Sequence, residues 1–166
     1  MTVSDTTGVR HRVRTATPAD ADAIGALKVR AWRAAYAGIL PADVLASLDP
    51  TEEGCAWRDY LEAKTVDQRL WVAEADGRVV GYARAGADEV HGLYVDPDLI
   101  GTGIGRALFE RAVDDLRVRG ARSVTVWHFV GNERAARFYE RAGMRLVDDR
   151  RPSEHGVDEV CWQLDL

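Results

Sequence analysis

Lysine is nearly missing from this chain of 166 residues: Lys28 and Lys64 are its only two, and arginine carries the rest of the positive charge. The formal net charge is −5, which excludes the broadly basic surface that draws a protein to nucleic-acid phosphates. Cysteine is scarce as well. Cys55 and Cys161 are far apart and lack the paired spacing of a zinc site or disulfide framework, so they read as reduced thiols, with a cytoplasmic location expected. No stretch reaches the roughly 18 consecutive apolar residues of a membrane span, so no membrane partner is expected. The first nine residues lack the apolar centre of a secretory signal. They read as a flexible tail ahead of a single domain over 10–166. No internal repeat, low-complexity run or linker divides that domain.

What remains is ordinary globular material, 46% apolar and 30% charged, long enough to bury one core. The stretch 10–15 predicts an edge strand. Thr15 or Thr17, then Pro18 and Asp20, is a helix-start signal: a cap, a proline in the first turn and an acidic residue. Ile24, Leu27, Ala31 and Ala35 continue it at helical spacing, and Gly38 ends it. Short helices are predicted from Pro41 and from Asp49. Strands follow over 70–75 and 78–85, joined by Asp76-Gly77, a favoured two-residue hairpin turn. A third strand covers 90–95. Ile104, Leu108, Ala112 and Leu116 mark a long helix, 123–129 a strand, and Asn132 the cap of a further helix stopped by Gly143. The segment 151–156 reads as a loop between two last strands. This order predicts one α/β domain with a single mixed sheet. Trp57, Trp71, Trp127 and Trp162 read as core, and His128 and His155 as structural or exposed.

The centre of the chain is the strand 90–95, then Asp96-Pro97, then Gly101-Thr102-Gly103-Ile104-Gly105-Arg106 opening the long helix. The glycines permit positive φ and close approach to a ligand. A helix N-terminus offers free N–H groups and the positive end of a dipole, which suits a pyrophosphate. Arg106-Ala107 replaces the Lys-Ser/Thr of a P-loop, and Arg106 stands where a dinucleotide fingerprint needs its third glycine. On the turn alone, a glycine-rich connection without a ligand stays open.

A second motif decides between these readings. Leu-Tyr-Val-Asp-Pro with Gly-x-Gly-x-Gly, followed one helix and one strand later by Asn132-x-x-Ala135-x-x-Phe138-Tyr139-Glu140-x-x-Gly143, resembles the GNAT superfamily of acetyl-CoA-dependent N-acetyltransferases. The resemblance covers nearly the whole chain, including element order. It implies a mostly antiparallel central sheet flanked by helices, acetyl-CoA as acyl donor, no metal, and a primary amine on a small molecule or protein as acceptor. Members of this family often form homodimers, so a homodimer is compatible with the resemblance, which does not itself fix the oligomeric state. Two positions depart from the pattern. Ile100 replaces the Gln or Arg that helps hold the phosphates in many members, which leaves Arg106 as the expected charged support, and Met144 replaces a usual Phe.

The resemblance assigns roles residue by residue. Gly101, Thr102, Gly103, Ile104, Gly105 and Arg106 cradle the pyrophosphate through their N–H groups. Leu93, Tyr94 and Val95 pair with the pantetheine amides as an added strand, and an N–H near Val95 polarises the thioester carbonyl. Asn132 contacts the pantetheine arm. Tyr139 is the expected general acid toward the leaving thiolate. For the general base, alternation along the strand puts Glu89, His91, Leu93 and Val95 on one face, which offers Glu89 or His91, directly or through water. Trp32 and Tyr36 are expected to border the acceptor. A non-catalytic acyl-CoA-binding sensor is the alternative, and it would need neither Tyr139 nor a base.

Overall fold

The computed structural model describes residues 8–63 and 65–166. Residues 1–7 of the expected tail lie outside them, while Val9 packs against the core. The strands are β1 (Arg12–Thr15), β2 (Gln68–Ala75), β3 (Arg78–Gly86), β4 (Glu89–Val95), β5 (Ser123–Phe129), β6 (Arg145–Pro152) and β7 (Asp158–Asp165). They form one sheet in the order β1-β2-β3-β4-β5-β7-β6. Every neighbouring pair is antiparallel except β4 with β5. The helices are α1 (Ala21–Tyr36), α2 (Ala42–Ser47), α3 (Pro50–Ala63), α4 (Ile104–Val118) and α5 (Glu133–Arg141). The mixed, mostly antiparallel sheet flanked by helices is therefore the fold.

Local chemistry fixes the element ends. Asp20 accepts from the Thr17 backbone N–H at 2.8 Å and from its hydroxyl at 3.2 Å, closing the turn that leads into α1. Arg14 holds the same carboxylate through two bonds of 2.8 Å. Asp76 and Gly77 both have positive φ, as the tight hairpin between β2 and β3 requires. The segment 151–156 is only partly a loop. β6 runs on to Pro152, because Arg151 pairs across the ladder with Glu159 through a 2.7 Å ion pair. As β6 is an edge strand, Pro152 is tolerated there.

The helices divide between the two faces. Ile104, Leu108, Ala112 and Leu116 of α4 are buried against Ala83, Ala85, Val90, Val124 and Val126, with Tyr139 and Phe138 of α5 in the same core. On the opposite face Ile24 and Leu27 of α1 pack on Leu70, Val72 and Tyr82. Trp71 and Trp162 are buried, whereas Trp57 and Trp127 are only half-buried, and Trp127 is covered by the Arg151 guanidinium 4.3 Å above its ring.

Two irregularities in β4 shape everything that follows. Gly92 lies opposite Arg84 and Val90 opposite Ala85, so His91 is an extra residue, a β-bulge. The bulge overturns the expected single face for Glu89, His91, Leu93 and Val95. Leu93 and Val95, opposite Ala83 and Gly81, face α4. Glu89 lies opposite Gly86, on the α1 face with Tyr82 and Arg84. The His91 ring sits there too, its Nε2 only 3.4 Å from where a Gly86 side chain would begin. The second irregularity is that β4 and β5 pair only at Glu89–Thr125 and Val90–Val126 and then splay apart. The Asp96 N–H donates to the Val80 carbonyl at 2.8 Å, toward β3. By alternation, Leu93 and Val95 turn their N–H and C=O groups to the open edge.

Candidate active site

The splay opens a cavity of about 750 Å³. Leu93, Tyr94, Val95, Gly101, Gly103, Gly105, Arg106, Asn132 and Tyr139 line it, as do His91 and Tyr36. Four sequence-predicted site residues do not. The Thr102 hydroxyl turns inward to the Leu99 carbonyl at 2.6 Å, and the Ile104 side chain is fully buried in the core, so each offers only its backbone. Glu89 stands behind His91, and Trp32 stands behind Tyr36 and Tyr94.

The mouth is built by the turn before α4. Gly101 and Gly103 have φ of 84° and 90°, and a side chain at either would meet nothing within 4 Å. Glycine is required here by backbone conformation, and the space beside it is free for a ligand. The first amide of the helix to find a carbonyl is that of Ala107, bonded to Gly103 at 3.0 Å. The N–H groups of Ile104, Gly105 and Arg106 thus have no acceptor within the helix, and they share the positive end of its dipole. The approach to this turn is pinned. Asp96 accepts from the Asp98 N–H at 3.0 Å, and Arg30 of α1 grips the Asp96 carboxylate with bonds of 2.9 and 3.0 Å. Ile100 is 45% exposed beside the mouth and brings no charge. Arg106 reaches solvent and pairs with Glu110 at 2.7 Å. Arg134 and Arg141 of the α5 region also line the cavity and make no ion pair among the described residues. The donor set is one for phosphate and amide groups; no cluster of three metal-ligating side chains occurs among the described residues.

At the centre, Asn132 caps α5 through its Oδ1, which accepts from the Ala135 N–H at 3.2 Å and leaves the carboxamide NH₂ free to donate. Tyr139 projects from the next turn of α5. It is buried, and its hydroxyl has no hydrogen-bond partner among the described residues. Burial pushes the phenol well above its ordinary pKa, so it holds its proton across the physiological range. Its ring stacks on His128, 6.2 Å between centroids. His128 itself is fully engaged. The Trp162 indole, a pure donor, gives its N–H to Nε2 at 2.9 Å, and Nδ1 faces the Phe129 carbonyl at 2.9 Å. These partners fix the neutral imidazole with its proton on Nδ1, and burial lowers its pKa in the same sense. His128 is a prop for Tyr139, with no lone pair to spare.

The far wall is aromatic. The hydroxyls of Tyr36 and Tyr94 bond each other at 3.0 Å. Tyr36 meets Trp32 and Phe129 edge-on at 5.1 and 5.0 Å. His155, in the loop between β6 and β7, closes over Trp32 at 5.8 Å. Below this wall Glu89 lies 3.2 Å from His91 Nδ1 and 3.8 Å from Arg151. The imidazole beside it, with Arg151 adding to the effect, holds the Glu89 carboxyl below the usual carboxylate range despite partial burial.

Comparison with known proteins agrees with this arrangement. An uncharacterized N-acetyltransferase from Methanocaldococcus jannaschii is 34% identical over 91 residues, covering 48% of this chain and 40% of the relative. The chain therefore spans less than half the length of that relative. An uncharacterized N-acetyltransferase from Mycobacterium bovis is 31% identical over 141 residues, covering 79% of this chain and 86% of the relative. Among solved structures, the PaiA N-acetyltransferase from Thermoplasma acidophilum in complex with coenzyme A superposes with a TM-score of 0.77 at 17% identity, over 95% of this chain and 99% of that one. Residues 30–144, from the helix that pins the mouth to the end of the Tyr139 helix, match the model of the acetyltransferase (GNAT) family, and the chain belongs to that family.

Proposed function

We propose that this chain transfers an acetyl group from acetyl-CoA to a primary amine by direct attack. The observation that carries the reading is one cavity that joins an open strand edge at Leu93 and Val95, a helix N-terminus with free amides, and a protonated Tyr139 with no hydrogen-bond partner among the described residues. The similar fold of PaiA was solved with coenzyme A, which supports a coenzyme ligand for the same architecture. When bound, the donor supplies a thioester whose C–S bond breaks as the N–C bond to the amine forms. The amides of 104–106, with Arg106, Arg134 and Arg141 near them, hold phosphate charge at the mouth. Leu93 and Val95 donate to and accept from amide groups along the open edge. Tyr139 gives its phenolic proton to the departing sulfur. The proton lost by the amine goes to the Glu89–His91 pair. His91 lines the cavity and Glu89 backs it, so His91 is the nearer acceptor and Glu89 orients and charge-stabilises it.

The test is release of free thiol from acetyl-CoA over a panel of primary amines, with donor binding measured separately by calorimetry. Donor binding with amine-dependent thiol release is expected. Binding without turnover on any amine would favour a sensor of acyl-CoA, and absence of binding at millimolar donor would sink both readings.

A further inference from the structure

Beyond the donor site, the cavity contains a polar group that the mechanism above does not use. Tyr36 and Tyr94 share one hydrogen bond, 3.0 Å between their oxygens. Two phenols carry two protons, and the shared bond uses one. The second O–H has no acceptor among the described residues. Tyr36 is 7% exposed, Tyr94 is half-buried and both line the cavity, so whichever of the two carries the spare O–H presents it to the ligand space. Enclosing a donor without an acceptor is unfavourable, and a ligand oxygen placed there would relieve it.

Position and charge narrow what that oxygen belongs to. The Tyr36 and Tyr94 side chains lie on the α1 side of the sheet, opposite the face where Leu93 and Val95 meet α4. The free amides and the arginines of the mouth belong to α4 and α5, so the tyrosine pair is on the acceptor's side. Arg84, on the same α1 face, makes no ion pair among the described residues, but its guanidinium lies over the Tyr60 ring at 5.6 Å and it does not line the cavity. Lys28, stacked over Trp32, is bound to Glu53 at 2.8 Å, and Arg151 is bound to Glu159 at 2.7 Å. A carboxylate enclosed here would lose its hydration with no lysine or arginine of this face, among the described residues, in contact to compensate. A neutral carbonyl oxygen would receive the spare O–H and lose little.

We propose that the Tyr36–Tyr94 pair is a specificity subsite of the acceptor. It takes a neutral carbonyl oxygen, such as that of an amide, a short reach from the reacting amine. The acceptor is then an amino-amide rather than a zwitterionic amino acid or a plain alkylamine. This rests on the acetyltransferase reading.

Glycinamide, glycine and propylamine serve as acceptors for the wild-type chain, Tyr36→Phe, Tyr94→Phe and the double variant, with thiol release as readout. Wild type should prefer glycinamide to glycine by about tenfold or more in kcat/KM, a difference of about 1.4 kcal/mol. In the double variant the glycinamide-to-propylamine ratio should fall about fivefold or more, a change in which the acceptors' own basicities cancel. Donor affinity should stay within about twofold. An unchanged ratio in a double variant that melts as wild type overturns the subsite, and so does a large loss of donor affinity. A second readout needs no turnover. Glycinamide titrated into the chain should shift the ring signals of Tyr36 and Tyr94, and it should fail to bind the double variant. Absence of these shifts in wild type overturns the subsite even if thiol release is seen. Absence of donor binding or thiol release, with the shifts present, overturns the acetyltransferase reading alone.

Discussion

The Tyr139 phenol is supported from below and open above: His128 stacks beneath its ring, and its hydroxyl faces the cavity without a partner among the described residues. The proton-donor role proposed for it predicts that Tyr139→Phe lowers kcat by about 10²–10⁴-fold, the usual worth of a positioned acid. Donor affinity from calorimetry should be nearly unchanged, since the ring and its packing remain. A kcat at the wild-type level, with chemistry shown to limit the rate, would remove the acid assignment. His128 gives a prediction of opposite character. Its folded pKa is lowered, so the unfolded chain takes up a proton first as pH falls. Its contribution to stability is therefore complete above its unfolded value of about 6.5 and is lost progressively below it. Nitrogen shifts should report the Nδ1–H tautomer at neutral pH, and in His128→Asn the slope of Tm against pH over the range just below 6.5 should flatten. From the sequence, His128 was legible only as structural or exposed, because its partner Trp162 is 34 residues away and nothing local marks the pair.

At the level of elements, the turn into α4 depends on backbone conformation rather than on room. Gly103→Ala should destabilise the fold by roughly 1–2 kcal/mol, the cost of a left-handed non-glycine residue. It should also raise the donor Kd by about tenfold or more, as the new methyl enters the space the ligand needs and the N-terminal amides tilt. A Kd that moves no further than the loss in Tm explains would place the phosphates elsewhere. This turn, the strand before it and the Asn132 helix could be read in the sequence because each is a local pattern: glycines, a proline stop, a cap, a helical stripe. The bulge in β4 could not. It arises from the register with β3, where one extra residue is accommodated opposite the Arg84–Ala85 step, so alternation counted within β4 alone assigns Glu89 and His91 to the wrong face. The extension of β6 was hidden for the same reason. Arg151 is held in the ladder by Glu159 on another strand, and a Pro-Ser-Glu-His-Gly run looks locally like a loop.

Across the whole molecule, long-range contacts tie the helices on the two faces of the sheet together. One is Arg30, which reaches from α1 to Asp96 at the root of the turn into α4. Arg30→Met should leave the buried Asp96 carboxylate without its partner, destabilise the chain by about 1–3 kcal/mol, and weaken donor binding several-fold without contact between Arg30 and the phosphates. Unaltered donor affinity in the folded variant would show that the turn holds its shape unaided. The splayed strands carry a different consequence. Amides in the middle of a sheet are ordinarily the last to trade their protons with solvent. Leu93 and Val95 occupy the central strand of seven, yet their N–H groups point into the opening and find no carbonyl there among the described residues. In deuterated water they should exchange as fast as loop amides in the free protein, between neighbours that hardly exchange at all, and fall silent when coenzyme A is added. Those two amides would then act as a built-in occupancy meter, reporting whether the missing strand has been filled and by which acyl donors.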